Sequence, residues 1–285
     1  MAASSAYHCP LCHLPLALEQ RTYRCANNHQ FDVAKEGYVN LMPVQHKRSK
    51  DPGDNKEMMQ ARRRFLASDH YNPLRQHVAS LCVEHLQNTS GQLLDIGCGE
   101  GYYTTEFANH LRQANEQAHV FGLDISKIAI RYAAKRYPNC DFVVASSHRL
   151  PFADRSLDGI VRIYAPCKAE ELARTVRSGG VVITVTPAER HLLQLRELIY
   201  QDVRMHSEAA EDLTGFELID EQKLNYEMAL SGHLALDLLQ MTPYAWKAND
   251  ALRATLAAYD TFACEVDFMI RVYQRAIVDD SEAVQ

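Results

Sequence analysis

The sequence contains no apolar run approaching the roughly 20 residues that a membrane-spanning helix requires. Met1–Tyr7 also lacks the basic segment and following apolar stretch of a secretory leader. These two absences predict no membrane partner and a cytoplasmic location. The cysteines lack the layout of a disulfide framework. Eight are present, but Cys9, Cys12 and Cys25 crowd the front, while Cys82, Cys98, Cys140, Cys167 and Cys264 stand singly, as small core residues do. With 285 residues, 47% of them hydrophobic, there is material for one sizeable α/β domain and a small module. Charge is uneven. Residues 1–66 hold ten Lys and Arg against six Asp and Glu, and the remainder twenty against thirty, which together make the net charge of −6. A basic end can face an anionic partner; by itself, this asymmetry reads better as ordinary surface clustering.

The cysteines at the front follow a metal spacing, Cys9-x2-Cys12-x12-Cys25-x3-His29. Zinc favours four soft or borderline donors in a tetrahedron, and three thiolates with one imidazole are a standard closed set. Cys9-Pro10-Leu11-Cys12 forms one knuckle and Cys25-Ala26-Asn27-Asn28-His29 the other, with Tyr23 and Arg24 suited to a short strand feeding the second. His8 and His13 compete as ligands, but each sits directly beside a cysteine, where geometry suits it less. Four protein ligands leave no open position, so the zinc is structural and folds a segment too short to build its own core.

Residues 46–66 carry seven basic side chains against three acidic ones, including Lys47, Arg48, Lys50 and the run Arg62-Arg63-Arg64. Asp51-Pro52-Gly53-Asp54 signals a turn, and Asp54 or Asn55 can cap a helix after it. A connector of this composition suits phosphate binding and suits an exposed helix face equally well.

From about residue 71 the pattern alternates between strand and helix. Helix 73–87 places Leu74, Val78, Leu81, Cys82 and His85 on one face. Candidate strands are Gln92–Ile96, His119–Asp124, Asp141–Ser146, Leu157–Tyr164 and Gly180–Thr186. Between them lie the helices Tyr102–Gln113, Ser126–Arg136 and Lys168–Val176, and a further helix spans 190–200. Such short crossovers build a parallel sheet with helices on both faces. Lys223–Leu230 and Cys264–Arg275 suit a final antiparallel pair.

The first strand ends in Asp95-Ile96-Gly97-Cys98-Gly99-Glu100-Gly101. Its glycines are spaced Gly-x-Gly-x-Gly, whereas a dinucleotide loop has its third glycine one residue later, where Tyr102 stands here. The second strand ends at Asp124, where a carboxylate can accept both hydrogen bonds of a ribose diol. A glycine turn after one strand and an acid ending the next point to a nucleoside cofactor at the carboxyl edge of the sheet.

This loop resembles the first motif of class I S-adenosylmethionine-dependent methyltransferases, and the likeness extends over Ser146-Ser147-His148-Arg149-Leu150-Pro151-Phe152 and Leu157-Asp158-Gly159-Ile160. With the zinc set, Phe31–Leu41, Lys50-Asp51-Pro52-Gly53-Asp54, Arg162-Ile163-Tyr164-Ala165-Pro166-Cys167 and Leu239-Gln240-Met241-Thr242-Pro243, nearly the whole chain resembles the bacterial 23S rRNA (guanine-N1)-methyltransferase family, in the branch typical of Gram-negative bacteria. The resemblance implies a Rossmann-like class I methyltransferase fold with a mostly parallel seven-stranded sheet, helices on both faces, and a small zinc-binding module ahead of it. The expected division is a zinc-binding RNA-recognition module at 1–45, a basic connector and helix at 46–70, the methyltransferase domain at 71–278 and a disordered tail at 279–285.

The resemblance also implies S-adenosylmethionine held by Tyr71, Gly99, Glu100 and His191, beside Asp95, Gly97, Gly101 and Asp124. It implies zinc on Cys9, Cys12, Cys25 and His29, recognition of a 23S rRNA hairpin, and a homodimer with a basic cleft. At the position where such enzymes usually carry an adenine-binding Asp, this chain has Ser146, so the contact passes to Ser146 or to the backbone of Ser147. Read from the residues alone, Tyr71 is better taken as a packing aromatic and His191 as a helix cap. Tyr164 can stack on the target guanine or fill the core, and Cys167 reads as packing. No general base stands out. Two other functions remain: a methyltransferase acting on a small quinone-type precursor, and a non-catalytic RNA-binding protein that keeps the fold.

Overall fold

The computed structural model describes residues 3–43 and 56–277. The run from His46 to Asn55, with its turn and helix-capping residues, and the tail 279–285 lie outside the described residues.

Residues 3–43 form a four-stranded antiparallel meander followed by a short bridge to the main sheet. The strands are β1 (Ala3–His8), β2 (Pro15–Glu19), β3 (Thr22–Arg24) and β4 (Gln30–Asp32), paired in that order. The two metal-binding turns lie between β1 and β2 and between β3 and β4. Each closes through a left-handed residue, His13 at φ 61° and Asn28 at φ 60°. The next strand, β5 (Val39–Asn40), leaves the meander and pairs in parallel with β8 (Asp141–Val144). The main sheet therefore has eight strands, seven from the methyltransferase domain and β5 added at its edge.

Helix α1 (Lys56–Leu66) buries Met59, Ala61 and Phe65. Helix α2 (Asn72–Leu86) starts with Pro73, whose missing N–H costs nothing in the first turn, and buries Leu74, Val78, Leu81 and Cys82. Then come β6 (Gln92–Ile96), α3 (Tyr102–Ala114), β7 (His119–Asp124), α4 (Lys127–Arg136), β8, β9 (Leu157–Ile163), α5 (Ala169–Thr175) and β10 (Val176–Pro187). The strand order β8-β7-β6-β9-β10 is parallel throughout, with the switch point between β6 and β9. The chain closes with α6 (Leu193–Glu197), β11 (Phe216–Leu230), α7 (Gly232–Gln240), a 3-10 turn (Pro243–Lys247), α8 (Asp250–Ala257) and β12 (Phe262–Arg275). Strand β12 inserts antiparallel between β10 and β11, so the last two strands form the expected antiparallel pair.

The helix expected over 190–200 is shorter than its sequence pattern, and forms only at Leu193–Glu197. Residues just before it are drawn onto β12 instead. Ala188 N–H donates to the Asp267 carbonyl, Leu192 N–H donates to the Glu265 carbonyl, and Leu192 sits left-handed at φ 54°. That backbone pairing leaves one short turn for the helix.

The sheet has two different coverings. On one face lie α2, α3, α4 and α7, with Phe107, Leu111, Ile130, Leu238 and Phe268 fully buried. On the other, the metal-binding meander packs beside α5 and shares a continuous apolar cluster with the strands: Tyr7, Cys9, Leu16 and Cys25 against Leu94, Ile96, Phe121, Leu123 and Phe152. Tyr7 meets Phe121 edge-on at 5.8 Å and lies 5.5 Å from Phe152. Each such pair adds about 0.5–1.5 kcal/mol beyond burial.

Candidate active site and metal centre

The metal centre is built by the two left-handed turns. The Cys9 carbonyl accepts from His13 N–H, and Cys25 exchanges backbone hydrogen bonds with Asn28 and His29. All four ligand atoms lie within 4.8 Å of one another, with Cys12 and Cys25 sulfurs 3.6 Å apart and His29 Nδ1 3.4 Å from the sulfurs of both Cys9 and Cys25. A tetrahedral zinc with ordinary bond lengths needs edges of about 3.8 Å between sulfurs and about 3.6 Å from sulfur to nitrogen. The donor set fits zinc, bound through Nδ1 of His29. Neither His8 nor His13 belongs to the cluster. The Leu14 amide lowers the Cys12 thiol pKa, while burial raises that of Cys9; a thiol that is still protonated gives up its proton on binding zinc.

At the carboxyl edge of the sheet, a cavity of about 770 Å³ opens over the β6–α3 turn. The turn takes left-handed conformations at Gly97, Gly99 and Gly101, with φ of 73°, 55° and 82°. A side chain at Gly97 would lie 2.7 Å from the Ala165 Cβ, so this glycine also lets the loop after β9 approach. Asp124 holds the turn from the neighbouring strand. Its two carboxylate oxygens accept from Gly99 N–H at 3.0 Å and Ser126 N–H at 2.8 Å, each keeping lone pairs for a ligand hydroxyl. Asp95, 2% exposed, accepts from the Thr104 hydroxyl at 2.6 Å, and burial pushes its carboxyl pKa up to about 7.

Helix α1 lies over this cavity, and its arginines are engaged within the fold. Arg63 donates twice to Glu100, both bonds at 2.7 Å, and its guanidinium stands 4.4 Å from the Tyr132 ring centre. Arg64 donates to both oxygens of Asp237 on α7, and Arg62 reaches the Met241 carbonyl at 3.4 Å. These bonds fasten α1 to the methyltransferase domain, while the Arg63 and Arg64 side chains stay 39% and 60% exposed, so the phosphate-binding and exposed-face readings of the run both stand.

The far wall holds Tyr71, His191 and Tyr164. Tyr71 is buried, edge-on to Phe65 at 5.1 Å and to Phe268 at 5.4 Å. His191 caps no helix. Its Nδ1 accepts from the Asp267 backbone N–H at 3.2 Å, and burial lowers its pKa to about 3. The neutral ring therefore carries its proton on Nε2, which donates to the Tyr164 hydroxyl 3.3 Å away. Tyr164 is 48% exposed, lines the cavity, and has φ 56°, a strained conformation for a bulky residue. It is a cavity residue and not a core aromatic.

The expected set is thus largely brought together: Tyr71, Asp95, Gly97, Gly99, Glu100, Asp124 and His191 all line the one cavity. Gly101 lies beneath it against Phe142 and Tyr137, and Ser146 and Ser147 are not in the lining. The Ser146 hydroxyl accepts from His148 N–H, and the Ser147 carbonyl accepts from the Cys167 thiol. The sequence reading missed the Arg63–Glu100 clasp and the His191–Tyr164 bond. The consecutive arginines were the available signal for the first; nothing in the sequence announced the second.

Comparison with known proteins agrees with both sites. Residues 7–50 match the zinc-ribbon family described as RlmA, N-terminal, and residues 87–235 match a methyltransferase domain. The 23S rRNA (guanine(748)-N(1))-methyltransferase of Streptomyces fradiae is 33% identical over 244 residues, spanning 84% of this chain and 85% of that protein. YxjB of Bacillus subtilis (strain 168), provisionally named a 23S rRNA (guanine-N1)-methyltransferase, is 30% identical over 86% of this chain and 88% of its own. A methyltransferase for phthiotriol and phenolphthiotriol dimycocerosates from Mycobacterium ulcerans (strain Agy99) is 27% identical, over only 50% of this chain and 51% of its own. A bound S-adenosylmethionine and a structural zinc are consistent with these matches, with the glycine turn beside Asp124, and with the Cys3His cluster. The chain belongs to the 23S rRNA (guanine-N1)-methyltransferase family.

Proposed function

We propose that this enzyme transfers the methyl group of S-adenosylmethionine to N1 of one guanine in a hairpin of 23S rRNA, working in the cytoplasm as a homodimer. The observation that carries the reading is the pairing, in one chain, of a closed zinc ribbon with a nucleoside-cofactor cavity, since the ribbon has no part in small-molecule methylation. In this reading residues 1–45 recognise RNA and residues 71–278 carry the chemistry, with α1 of the connector as the roof of the cavity.

When bound, the cofactor supplies an electrophilic methyl group on a sulfonium. The chain supplies place and orientation. Asp124 and Glu100 would take the ribose hydroxyls, the Gly97–Gly101 turn would let backbone N–H groups approach, and Tyr71 and His191 would complete the wall around the cofactor. Tyr164, projecting from the end of β9, packs against the guanine. Its hydroxyl accepts from His191, so its own proton is free to hydrogen-bond to guanine O6, while the N1 proton displaced as the methyl group leaves sulfur passes to a carboxylate or a backbone carbonyl on the N1 edge. Holding N1 in line with the methyl carbon can supply much of the rate. A guanine must leave its stack to enter, which costs a few kcal/mol and favours a hairpin loop over a duplex.

The test is to supply radiolabelled cofactor together with naked 23S rRNA, with ribosomes, or with a pool of quinone-type small molecules. Label in RNA alone supports the reading, and label in small molecules alone overturns it. Cofactor binding without transfer to any acceptor would leave a non-catalytic RNA-binding protein.

A further inference from the structure

Next to the cofactor cavity lies a second one, about 390 Å³, between the segment 196–206 and the 3-10 turn Pro243–Lys247. His206 and Tyr244 line both, so they form the wall between them. Its volume falls at the lower end of the 300–1,000 Å³ of small-ligand sites, which suits one nucleotide unit. Its lining is basic and aromatic. Arg196, Arg204 and Lys247 stand against the single carboxylate of Asp202, and Tyr200 and Tyr244 meet edge-on at 6.0 Å.

The cations here lack the partners they have elsewhere. Arg63 and Arg64 pair with the carboxylates of Glu100 and Asp237, but no carboxylate pairs with Arg196, Arg204 or Lys247 among the described residues. Arg196 is 3% exposed. Two of its nitrogens donate to the carbonyls of Arg204 and Glu189, its Nε has no partner, and its positive charge faces no anion. The His206 Nε2, on the shared wall, is also buried without a partner. The Lys247 ammonium stands 4.4 Å from the Tyr200 ring and 5.1 Å from that of Trp246. Trp246, the sole tryptophan of the chain, is 78% exposed.

The turn that carries this indole is fastened to the fold. Thr242 caps the 3-10 turn, and Arg253 ties it down with a hydrogen bond to the Ala245 carbonyl at 2.8 Å. An exposed indole beside cations without carboxylate partners is the chemistry that holds a single-stranded nucleotide: the base stacks on the ring and the phosphates meet the cations. Residues 243–247 also lie beyond the segment 87–235 that matches the methyltransferase domain in general, as a substrate-specific feature would.

We propose that this second cavity, with the exposed indole of Trp246 outside its lining and next to Lys247, binds the nucleotide adjacent to the target guanine in the RNA: its phosphates meet Arg204 and Lys247, and its base stacks on Trp246 at the cavity's edge. The site rests on the RNA-methyltransferase reading. It fixes the strand on one side of the base to be methylated and so helps select which guanine enters. His206 and Tyr244 separate the two nucleotides.

Trp246 is itself the probe. With the methylated guanine located by primer extension, an oligoribonucleotide of that hairpin is titrated into the protein while tryptophan fluorescence is followed. Quenching is expected with the hairpin, not with cofactor alone, and is expected to vanish when the neighbouring nucleotide is abasic. Trp246→Ala should raise the KM for RNA by about tenfold, the scale of one lost base–aromatic stack, and leave cofactor affinity by calorimetry unchanged. Trp246→Phe should recover most of the loss. If wild-type protein methylates rRNA but its fluorescence is indifferent to the hairpin and Trp246→Ala keeps the wild-type KM, the subsite is wrong and the functional reading stands. If wild-type protein methylates no rRNA, both fall together.

Discussion

Removing zinc is expected to unfold far more than the ribbon. Tyr7 and Leu16 from the meander and Phe121 and Phe152 from the methyltransferase domain are each no more than 4% exposed, within one cluster. Burying a large apolar side chain is worth about 1.5–3 kcal/mol, so releasing these four forfeits about 6–12 kcal/mol. That compares with the about 5–15 kcal/mol that holds a whole domain together. The strands facing the ribbon include β7, which ends in Asp124, so loss of the ribbon reaches the cofactor cavity directly. Scanning calorimetry of the zinc-loaded protein should show a single transition. Chelation should lower it by more than about 10 °C, given about 2–4 °C per kcal/mol for a chain of this size, and weaken cofactor binding with it. Cys12→Ala should do the same more mildly, with RNA methylation lost before cofactor binding. A zinc-free protein, verified by metal analysis, whose midpoint stays within about 2 °C and whose cofactor affinity is unchanged would refute the shared core.

Other outcomes follow from the cavity. Asp124→Asn cannot accept from both Gly99 and Ser126 without turning its amide toward one N–H; loss of about 1.5–3 kcal/mol in urea unfolding is expected, with at least about tenfold weaker cofactor binding by calorimetry. His191 titrates near 3 when folded against 6.5 when unfolded, so its stabilising contribution is complete above pH 6.5 and lost as pH falls towards 3. Asp95, raised from 3.8 to about 7, acts oppositely, and its contribution declines as pH rises from about 4 to 7. His191→Gln should therefore resist acid better than the wild type between pH 6 and 4 in thermal melts, relative to its own midpoint at pH 8, whereas Asp95→Asn should remove the decline towards pH 7. Tyr164→Phe should lower kcat for RNA with little change in cofactor affinity, and Tyr164→Ala should lower it further as the ring is lost; equal kcat in all three proteins would remove Tyr164 from the site.

What was legible in the sequence is what obeys local rules. Strands β6 and β7 agree with their sequence limits residue for residue, because each is an apolar run bounded by a polar residue and a turn. Zinc ligands and the glycine turn depend on spacing over a few residues, so Cys9, Cys12, Cys25 and His29 and the Gly97–Gly101 loop could be read directly. Features made by long-range contact could not. Glu100 meets Arg63 across 37 residues, and His191 meets Tyr164 across 27. The truncation of the helix at 190–200 depends on backbone bonds to β12, more than 70 residues onward. The ribbon's place over β7 is equally hidden, since Tyr7 and Phe121 carry no mark of each other. The second cavity joins two segments with no shared motif, so its cations and its indole looked like ordinary surface.

The central claim concerns where the methyl group goes, and primer extension reads it directly, because a methyl group on guanine N1 blocks base pairing. Reverse transcription of naked 23S rRNA treated with the protein and S-adenosylmethionine should stop at one new position, a guanine, and the stop should disappear without cofactor or after zinc is removed. Complete read-through of the rRNA from both naked 23S rRNA and ribosomes treated in this way, with the cofactor binding normally, would contradict the account.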